Sequence, residues 1–338
     1  MPNKNLIVVS NESIYVNNNK YFCDNVDIKS TVDGLSKLYN LIFLGRRSFQ
    51  KRNFVINFKN IKLGLNIFSY LYNIFKTLNT NSNYFIISIT PFTFFAFLIL
   101  FLFKKKIFIY LRSNGFKEYE VILGKRWVWI YKIMYSLVLR KSHIISCQQD
   151  LVINRKFDLV TPSELDEKWL YPHKKASLEK VKLLYVGRIK IEKGIYSLID
   201  IFNDLKIDST LSIVGTGNRL AVNNSNIKFY GFESDITKLS KIYDEHNITI
   251  LPSFTEGYPK VVIESLARSR PIIAFEEIIH ISESRHGVFI CKRDSESLSK
   301  TIQFIIQNYS DIQKKISKNQ LPEKKDFIKQ ISNILDKN

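Results

Sequence analysis

Cysteine is scarce in this sequence of 338 residues: Cys23, Cys147 and Cys291 stand far apart, with no CxxC and no histidine at ligand spacing. That argues against a disulfide framework and a zinc site, and it fits a reducing compartment. Acidic residues are scarce in one half only. Residues 1–150 hold 7 Asp and Glu against 21 Lys and Arg, a net of +14, whereas residues 151–338 hold 24 against 29, a net of +5. A basic half attracts polyanions, whether nucleic acid, an anionic membrane or phosphate-bearing substrates; a merely solvated basic surface is the plainer reading. An unbroken apolar run of membrane length is lacking as well. Residues 86–103 come closest, but Ser88, Thr90, Pro91 and Thr93 interrupt them. They divide into a strand, a turn and an apolar helix of about 12 residues, short of the ~20 that a span needs. The opening MPNKNLIVVS reads as a first strand rather than a signal peptide. Internal repeats, low-complexity tracts and nucleic-acid motifs are also missing.

What is present is alternation. Hydrophobic residues make up 45% of the chain, enough for two ordinary cores at this length. Short β-branched runs at 6–9, 41–44, 54–58, 84–89, 107–111 and 143–146 alternate with helical patterns at 28–39, 64–78, 92–103 and 127–139, with a hairpin at 15–22. A second series follows. Strands are expected at 182–186, 210–214, 227–230, 248–251, 271–274 and 287–290, and helices at 194–205, 236–243, 259–267 and 296–309. Such alternation predicts βαβ units and parallel sheets, hence an α/β fold. Turn residues and charge between Thr161 and Lys180, including Tyr171-Pro172-His173-Lys174-Lys175, mark a break. The expected division is a Rossmann-like domain at 1–165, a linker at 166–180, a second Rossmann-like domain at 181–320, and a helical tail at 321–338 free to return to the first domain. Ligands of open α/β sheets bind at the carboxyl ends of the strands, so the two domains are expected to face one another across a cleft.

Three constellations carry chemistry, all in the second half. Gly187-Arg188-Ile189-Lys190-Ile191-Glu192-Lys193-Gly194 lies between a strand and a helix. Glycine allows close backbone approach, a helix start favours anions, and Arg188 and Lys193 suit a diphosphate; an ordinary basic turn is the alternative. Gly215-Thr216-Gly217 directly follows a strand and would let a ligand lie against bare backbone, although tight turns use the same pattern. Strand 248–251 runs into Pro252-Ser253-Phe254-Thr255-Glu256-Gly257-Tyr258-Pro259-Lys260-Val261-Val262-Ile263-Glu264. Pro259 suits the first helical turn, placing Glu256 in a loop and Glu264 on a helix, with the free N–H groups between Gly257 and Lys260, Pro259 having none, open to oxygen acceptors.

In this order, and followed by SLARSRPIIAF, the three motifs resemble the retaining glycosyltransferases of family 4, which have the GT-B fold. The resemblance covers about residues 181–275. It implies that Arg188 and Lys193 hold the donor diphosphate and stabilise the departing nucleotide. It implies that Glu264 holds the donor ribose, that Glu256 stands beside the transferred sugar, and that the amides of Gly257, Tyr258, Pro259-Lys260 and their neighbours meet that sugar. Phe229-Tyr230-Gly231-Phe232 falls where the family lines its base pocket, with Gly187, Gly215 and Gly217 on the nucleotide side. No metal and no cofactor are implied, only a nucleotide-diphosphate sugar, UDP- or GDP-linked, as donor substrate; the absence of Asp-x-Asp from the chain agrees.

The sequence departs from that family at Arg270, where glycine usually precedes the proline. In the first half Tyr110-Leu111-Arg112-Ser113-Asn114-Gly115 carries no histidine, which leaves Arg112 or Asn114 as acceptor-side residues, and only Gly34 stands where a glycine-rich loop is usual. Gly124-Lys125-Arg126-Trp127-Val128-Trp129-Ile130-Tyr131-Lys132 reads equally as a helix against anionic headgroups or as a core helix with a basic start. The expectation is a retaining hexosyltransferase that serves a glycan or lipid-linked acceptor in bacterial lipopolysaccharide or capsule assembly, cytoplasmic and peripheral on the inner membrane, without nucleic acid. A GT-B nucleotide-sugar epimerase would share the fold but lacks cleft histidines here. A non-enzymatic basic polyanion-binding module would explain the charge but not the ordered motifs.

Overall fold

The computed structural model describes residues 4–170, 176–217, 222–282 and 285–337. The turn-rich stretch at 171–175 in the expected linker lies outside the described residues. The chain divides into two units, one formed by residues up to Glu164 together with those from Lys324 onward, the other by Leu165–Glu323.

Unit 1 is built on a nine-stranded mixed sheet. Its strands are β1 (Asn5–Asn17), β2 (Lys20–Cys23), β3 (Asn40–Ser48), β4 (Phe54–Ile56), β5 (Ile61–Gly64), β6 (Ser82–Ile87), β7 (Ile107–Leu111), β8 (His143–Ser146) and β9 (Asp158–Leu159). β1 pairs in parallel with β3 and β6, then bends at an irregularity between Val9 and Ser13 and turns back through Asn18 and Asn19 to pair antiparallel with β2. β6, β7, β8 and β9 continue in parallel. The helices are α1 (Val26–Leu35), α2 (Ile67–Phe75), α3 (Pro91–Leu102), α4 (Gly115–Leu123) and α5 (Val128–Arg140).

Local chemistry sets several starts. Asn25 caps α1 by accepting from the amides of Asp27 and Ile28, which brings the helix forward from the expected 28. Gly64 belongs to β5, a strand the sequence pattern did not reveal, and α2 begins after the capping box of Asn66 and Ser69. Thr90 and Thr93 form another capping box, with Pro91 at the first position of α3. That helix has 12 residues, and among the described residues no helix is long and apolar enough to cross a membrane. The basic and aromatic segment is not one helix. Gly124 takes a left-handed φ of 92°, Lys125–Trp127 form a single tight turn, and α5 follows. Trp127 and Trp129 are exposed while Tyr131 is buried, so the core-helix reading fails for both tryptophans.

Unit 2 contains a six-stranded parallel sheet in the order β12-β11-β10-β13-β14-β15, formed by β10 (Val181–Val186), β11 (Ser209–Val214), β12 (Ile227–Gly231), β13 (Ile248–Leu251), β14 (Ile272–Phe275) and β15 (Val288–Cys291). β13 and β14 are buried along their whole length, as expected of strands covered on both faces. The helices are α6 (Glu167–Leu170), α7 (Ile195–Asn203), α8 (Ile236–Glu245), α9 (Lys260–Ala267), α10 (Ser295–Gln307) and α11 (Tyr309–Ile316). Leu165 and Trp169 are buried in this unit, in a cluster with Leu184, Tyr243 and Ile263. The expected helix at 259–267 begins one residue later, because Pro259 is its N-cap in extended conformation (φ −72°, ψ 115°) and not part of its first turn.

The chain ends in α12 (Lys324–Lys337), part of unit 1. Tyr39 donates to Ser332 O and to Asp336, and the Tyr110 and Phe327 rings lie 6.1 Å apart. All three cysteines are buried and unbridged, and burial pushes each thiol up to about 12, so none is a ready nucleophile near neutral pH.

Candidate functional site

Because the six strands of unit 2 are parallel, their carboxyl ends share one edge, and the three motifs leave the sheet there. Adjacent loops are stitched by backbone hydrogen bonds. The Gly187 amide donates to Val214 O, Ile189 to Thr216 O at 2.7 Å, and Gly215 to Gly231 O at 2.8 Å. Gly215 has φ 153°, and a Cβ there would stand 1.7 Å from Gly187 O, so only glycine lets these two loops touch. Gly217 continues the second loop and is exposed.

Gly194 closes the first loop. It is the N-cap of α7 in a left-handed conformation, φ 65°, rather than the first residue of the helix. A tight turn, Ile191–Lys193, precedes it. A Cβ on Gly194 would lie 1.9 Å from Pro252 O, so this glycine allows the first loop to meet the third. The Phe254 amide completes the junction by donating to Glu192 O at 3.1 Å.

That junction brings two of the expected catalytic residues together. Lys193 Nζ donates to Glu256 Oε1 at 2.6 Å, and Ser253 Oγ donates to the same oxygen at 2.6 Å. The pair is largely buried, with side-chain exposures of 20% and 12%. A lysine and a glutamate held this way are partly desolvated, which strengthens their attraction and orders both side chains. Arg188, five residues before Lys193 in the same loop, has an exposed side chain, and its carbonyl accepts from Tyr185 at 2.7 Å.

Glu264 is placed differently. It is buried on α9 and accepts from Tyr243 at 2.9 Å. Burial, with Glu264 beside it, holds the Tyr243 hydroxyl well above its ordinary value, so it stays a donor. Tyr243 in turn packs edge-on to Trp169, with centroids 5.6 Å apart. Gly257 is buried, Tyr258 accepts from Arg285 at 2.6 Å, Lys260 is half-buried as the first residue of α9, and Phe232 is exposed after β12. The acceptor-side pair belongs to unit 1. Arg112 donates to Asp27 at 3.1 Å, and Asn114 caps α4 by accepting from the Lys117 amide at 3.2 Å. Among the described residues no His, Cys, Asp and Glu cluster could hold a metal ion.

Besides Arg268, sequence reasoning missed the roles of four residues here. Ser253 has a signal in hindsight, since it precedes Glu256 by three and can share its turn. Tyr243 has none, because its link to Glu264 joins two helices. Arg270, the departure from glycine, is buried and donates to His246 O, Arg268 O and Asp244 O, tying down the ends of α8 and α9. Arg268 beside it pairs with Asp244 and donates to Trp169 O at 2.9 Å. Arg293, the fourth, follows β15 and pairs with Glu277.

Residues 180–308 match the family model Glycosyl transferases group 1. Over this stretch the chain is similar to the group 1 glycosyl transferases. The chain is 29% identical over 174 residues to an uncharacterized glycosyltransferase of Haemophilus influenzae, an alignment covering 48% of each protein. The chain therefore spans about half the length of that curated relative. Its fold is similar to sucrose-phosphate synthase from Thermosynechococcus elongatus, with a TM-score of 0.72 at 13% identity over 99% of this chain and 98% of the other. It is likewise similar to Anabaena HepE in complex with UDP and glucose, at 0.70 and 13% over 98% and 99%. A third match is WaaG, a glycosyltransferase involved in lipopolysaccharide biosynthesis, at 0.68 and 11% over 98% and 100%. At these identities the likeness speaks for the fold alone, and the fold is GT-B.

Proposed function

We propose that the chain is a retaining glycosyltransferase that takes a sugar from a nucleotide-diphosphate donor, without a divalent metal, and passes it to a glycan or lipid-linked acceptor. The observation that carries this reading is the Lys193–Glu256 pair at the meeting of the first and third loops, with Arg188 exposed in the first of them. The bond from the anomeric carbon to the diphosphate breaks while negative charge grows on the leaving oxygen. In this reading Arg188 and Lys193 stabilise that charge more in the transition state than before it. Glu256, tied to Lys193, stands where the transferred sugar would lie, and Glu264 is the carboxylate for the donor ribose. The HepE complex, which holds UDP and glucose, makes UDP the first base to test and GDP the second.

The same reading places the acceptor at an anionic membrane, on the cytoplasmic side, in lipopolysaccharide or capsule assembly. Its supports are the net +14 of residues 1–150 and the exposed Ile122, Leu123, Trp127 and Trp129 around Lys125 and Arg126. Basic residues draw the surface to anionic lipid, and amphipathic tryptophan suits the headgroup level. The fold's likeness to WaaG points the same way. A thermal-shift screen of nucleoside diphosphates and their sugars tests the reading, since a ligand of the folded state raises the melting temperature. Stabilisation by UDP or GDP, followed by transfer with the donor's anomeric configuration kept, is the expected result. No response to any nucleoside diphosphate would sink it.

A further inference from the structure

Arg293 lies at the corner where the first and third loops of unit 2 meet, and none of the three motifs includes it. Its Nε and Nη2 donate to the two oxygens of Glu277 at 2.6 and 3.1 Å. Its Cζ stands 4.1 Å from the ring centre of Phe254 and 4.4 Å from that of Phe275. Nη1 is buried and makes no hydrogen bond to the described residues. A Cβ placed on Gly194 would come within 3.2 Å of that Nη1 and 1.9 Å of Pro252 O, so the nitrogen sits at the contact between the two loops.

We infer that Arg293 is a positioning residue that holds Phe254 and thereby sets Glu256 against Lys193. The inference rests on the proposed function for its consequence in catalysis, but not for its geometry. Phe254 is the link. Its amide donates to Glu192 O, next to Lys193, and it lies between Ser253 and Glu256, which are bonded to one another. Movement of this ring shifts both ends of the Lys193–Glu256 pair together. The guanidinium is fixed from the other side by a bidentate carboxylate and by Phe275, both on the segment that follows β13 and α9. A planar cation that stacks and forks at once is needed for this, and lysine offers neither feature. A buried donor without a partner is ordinarily costly and calls for a reason. Here the reason is placement: the contacts to Phe254, Phe275 and Glu277 fix the guanidinium and leave Nη1 against the loop junction. Reacting groups misplaced by about 1 Å lose much of their effect, so a residue that never meets the donor still governs turnover.

The test uses the full chain with Arg293→Lys and, in case lysine cannot be accommodated, Arg293→Met. Hydrogen exchange of the Phe254 amide is followed alongside the amides of β10 and β13, with the melting temperature, UDP and GDP affinity, and turnover. In Arg293→Lys, exchange at Phe254 should rise about tenfold while β10 and β13 keep their protection, because only the local opening is affected. Turnover should fall about tenfold with nucleoside diphosphate affinity within about twofold of wild type. In a Glu256→Gln background the same change should add nothing, since the two act as one unit. Unchanged exchange at Phe254, exchange that rises throughout unit 2 with a fall in melting temperature, or losses that multiply with Glu256→Gln would each overturn the inference. A wild-type chain that binds neither UDP nor GDP overturns the functional reading instead, and the exchange experiment still decides whether Arg293 holds the loop.

Discussion

In unit 2 the loops that leave β10, β11 and β13 bind to one another, through backbone bonds, glycine contacts and a lysine–glutamate pair. In unit 1 the residues that leave β7 serve their own unit: Asn114 caps α4 and Arg112 pairs with Asp27. The surfaces differ in the same sense. Unit 1 exposes Ile122, Leu123, Trp127, Trp129 and Ile133 along α4 and α5, among lysines and arginines. Unit 2 instead has two arginines, Arg268 and Arg270, almost wholly buried. The difference teaches that similar α/β architecture divides the labour. One unit ties charged side chains together across the loops at a strand edge, and the other leaves charged and apolar side chains exposed on its surface.

The largest effects should come from breaking unit 2's edge. Arg188→Ala or Lys193→Ala should lower turnover by roughly two to three orders of magnitude, as loss of one charge-stabilising donor does. The melting temperature should hold for Arg188→Ala, because Arg188 is exposed, and fall for Lys193→Ala, which leaves the largely buried Glu256 with Ser253 alone. Steady-state kinetics with a donor identified by the thermal screen would show it, and near-normal turnover would remove the diphosphate role.

A smaller effect should separate the two carboxylates. Glu256→Ala should lower turnover, whereas Glu264→Ala should mainly weaken nucleotide binding, because it touches a part of the donor that does not react. The structure sharpens this, since Glu264 is buried with Tyr243 and its loss leaves that hydroxyl without the carboxylate. Glu264→Ala should therefore also cost stability, roughly 1–3 kcal/mol, which calorimetry can separate from binding. Equal effects of both changes on nucleotide affinity would erase the division of roles.

Smaller again is the expected effect in unit 1. Replacing Lys125 and Arg126, or Lys104, Lys105 and Lys106, by serine should weaken binding to anionic vesicles by about 1 kcal/mol for each residue facing the bilayer. Binding should fall with salt and be slight on neutral vesicles. Trp127 and Trp129 are exposed and Trp169 is buried, so a blue shift of tryptophan emission on anionic vesicles reports on this face directly. Emission and sedimentation that ignore anionic vesicles at low salt would leave unit 1 with a solvated surface. The smallest effect should be that of excess EDTA, with no loss of activity expected. Loss on chelation, restored by manganese or magnesium, would mean that Arg188, Lys193 and the amides do not supply the positive charge.

Much of unit 2 was legible because its signals are local. Parallel strands covered on both faces read as apolar runs, and glycine, proline and charge punctuate them at the ends. β10 to β15 fall close to the expected runs for that reason. Unit 1 was harder. β5 is four residues of mixed polarity ending at Gly64, and α4 was hidden because Lys117, Glu118 and Glu120 mask its apolar face. Both elements exist through their neighbours, β3 for the strand and α5 for the helix, and not through their own periodicity.

The sequence by itself determined the α/β alternation, the order of the three motifs and the uneven charge. Each of these depends on residues close together in the chain or on simple counting. Only the tertiary structure decided that Lys193 reaches Glu256, that Tyr243 holds Glu264, that Arg270 replaces a glycine by bonding three carbonyls, and that Arg293 stacks on Phe254. Those partners are drawn from separate strands and helices, and the distance between them is set by how the sheet's crossovers bring the loop ends together. No local pattern encodes that distance, so it becomes visible only when the chain is folded.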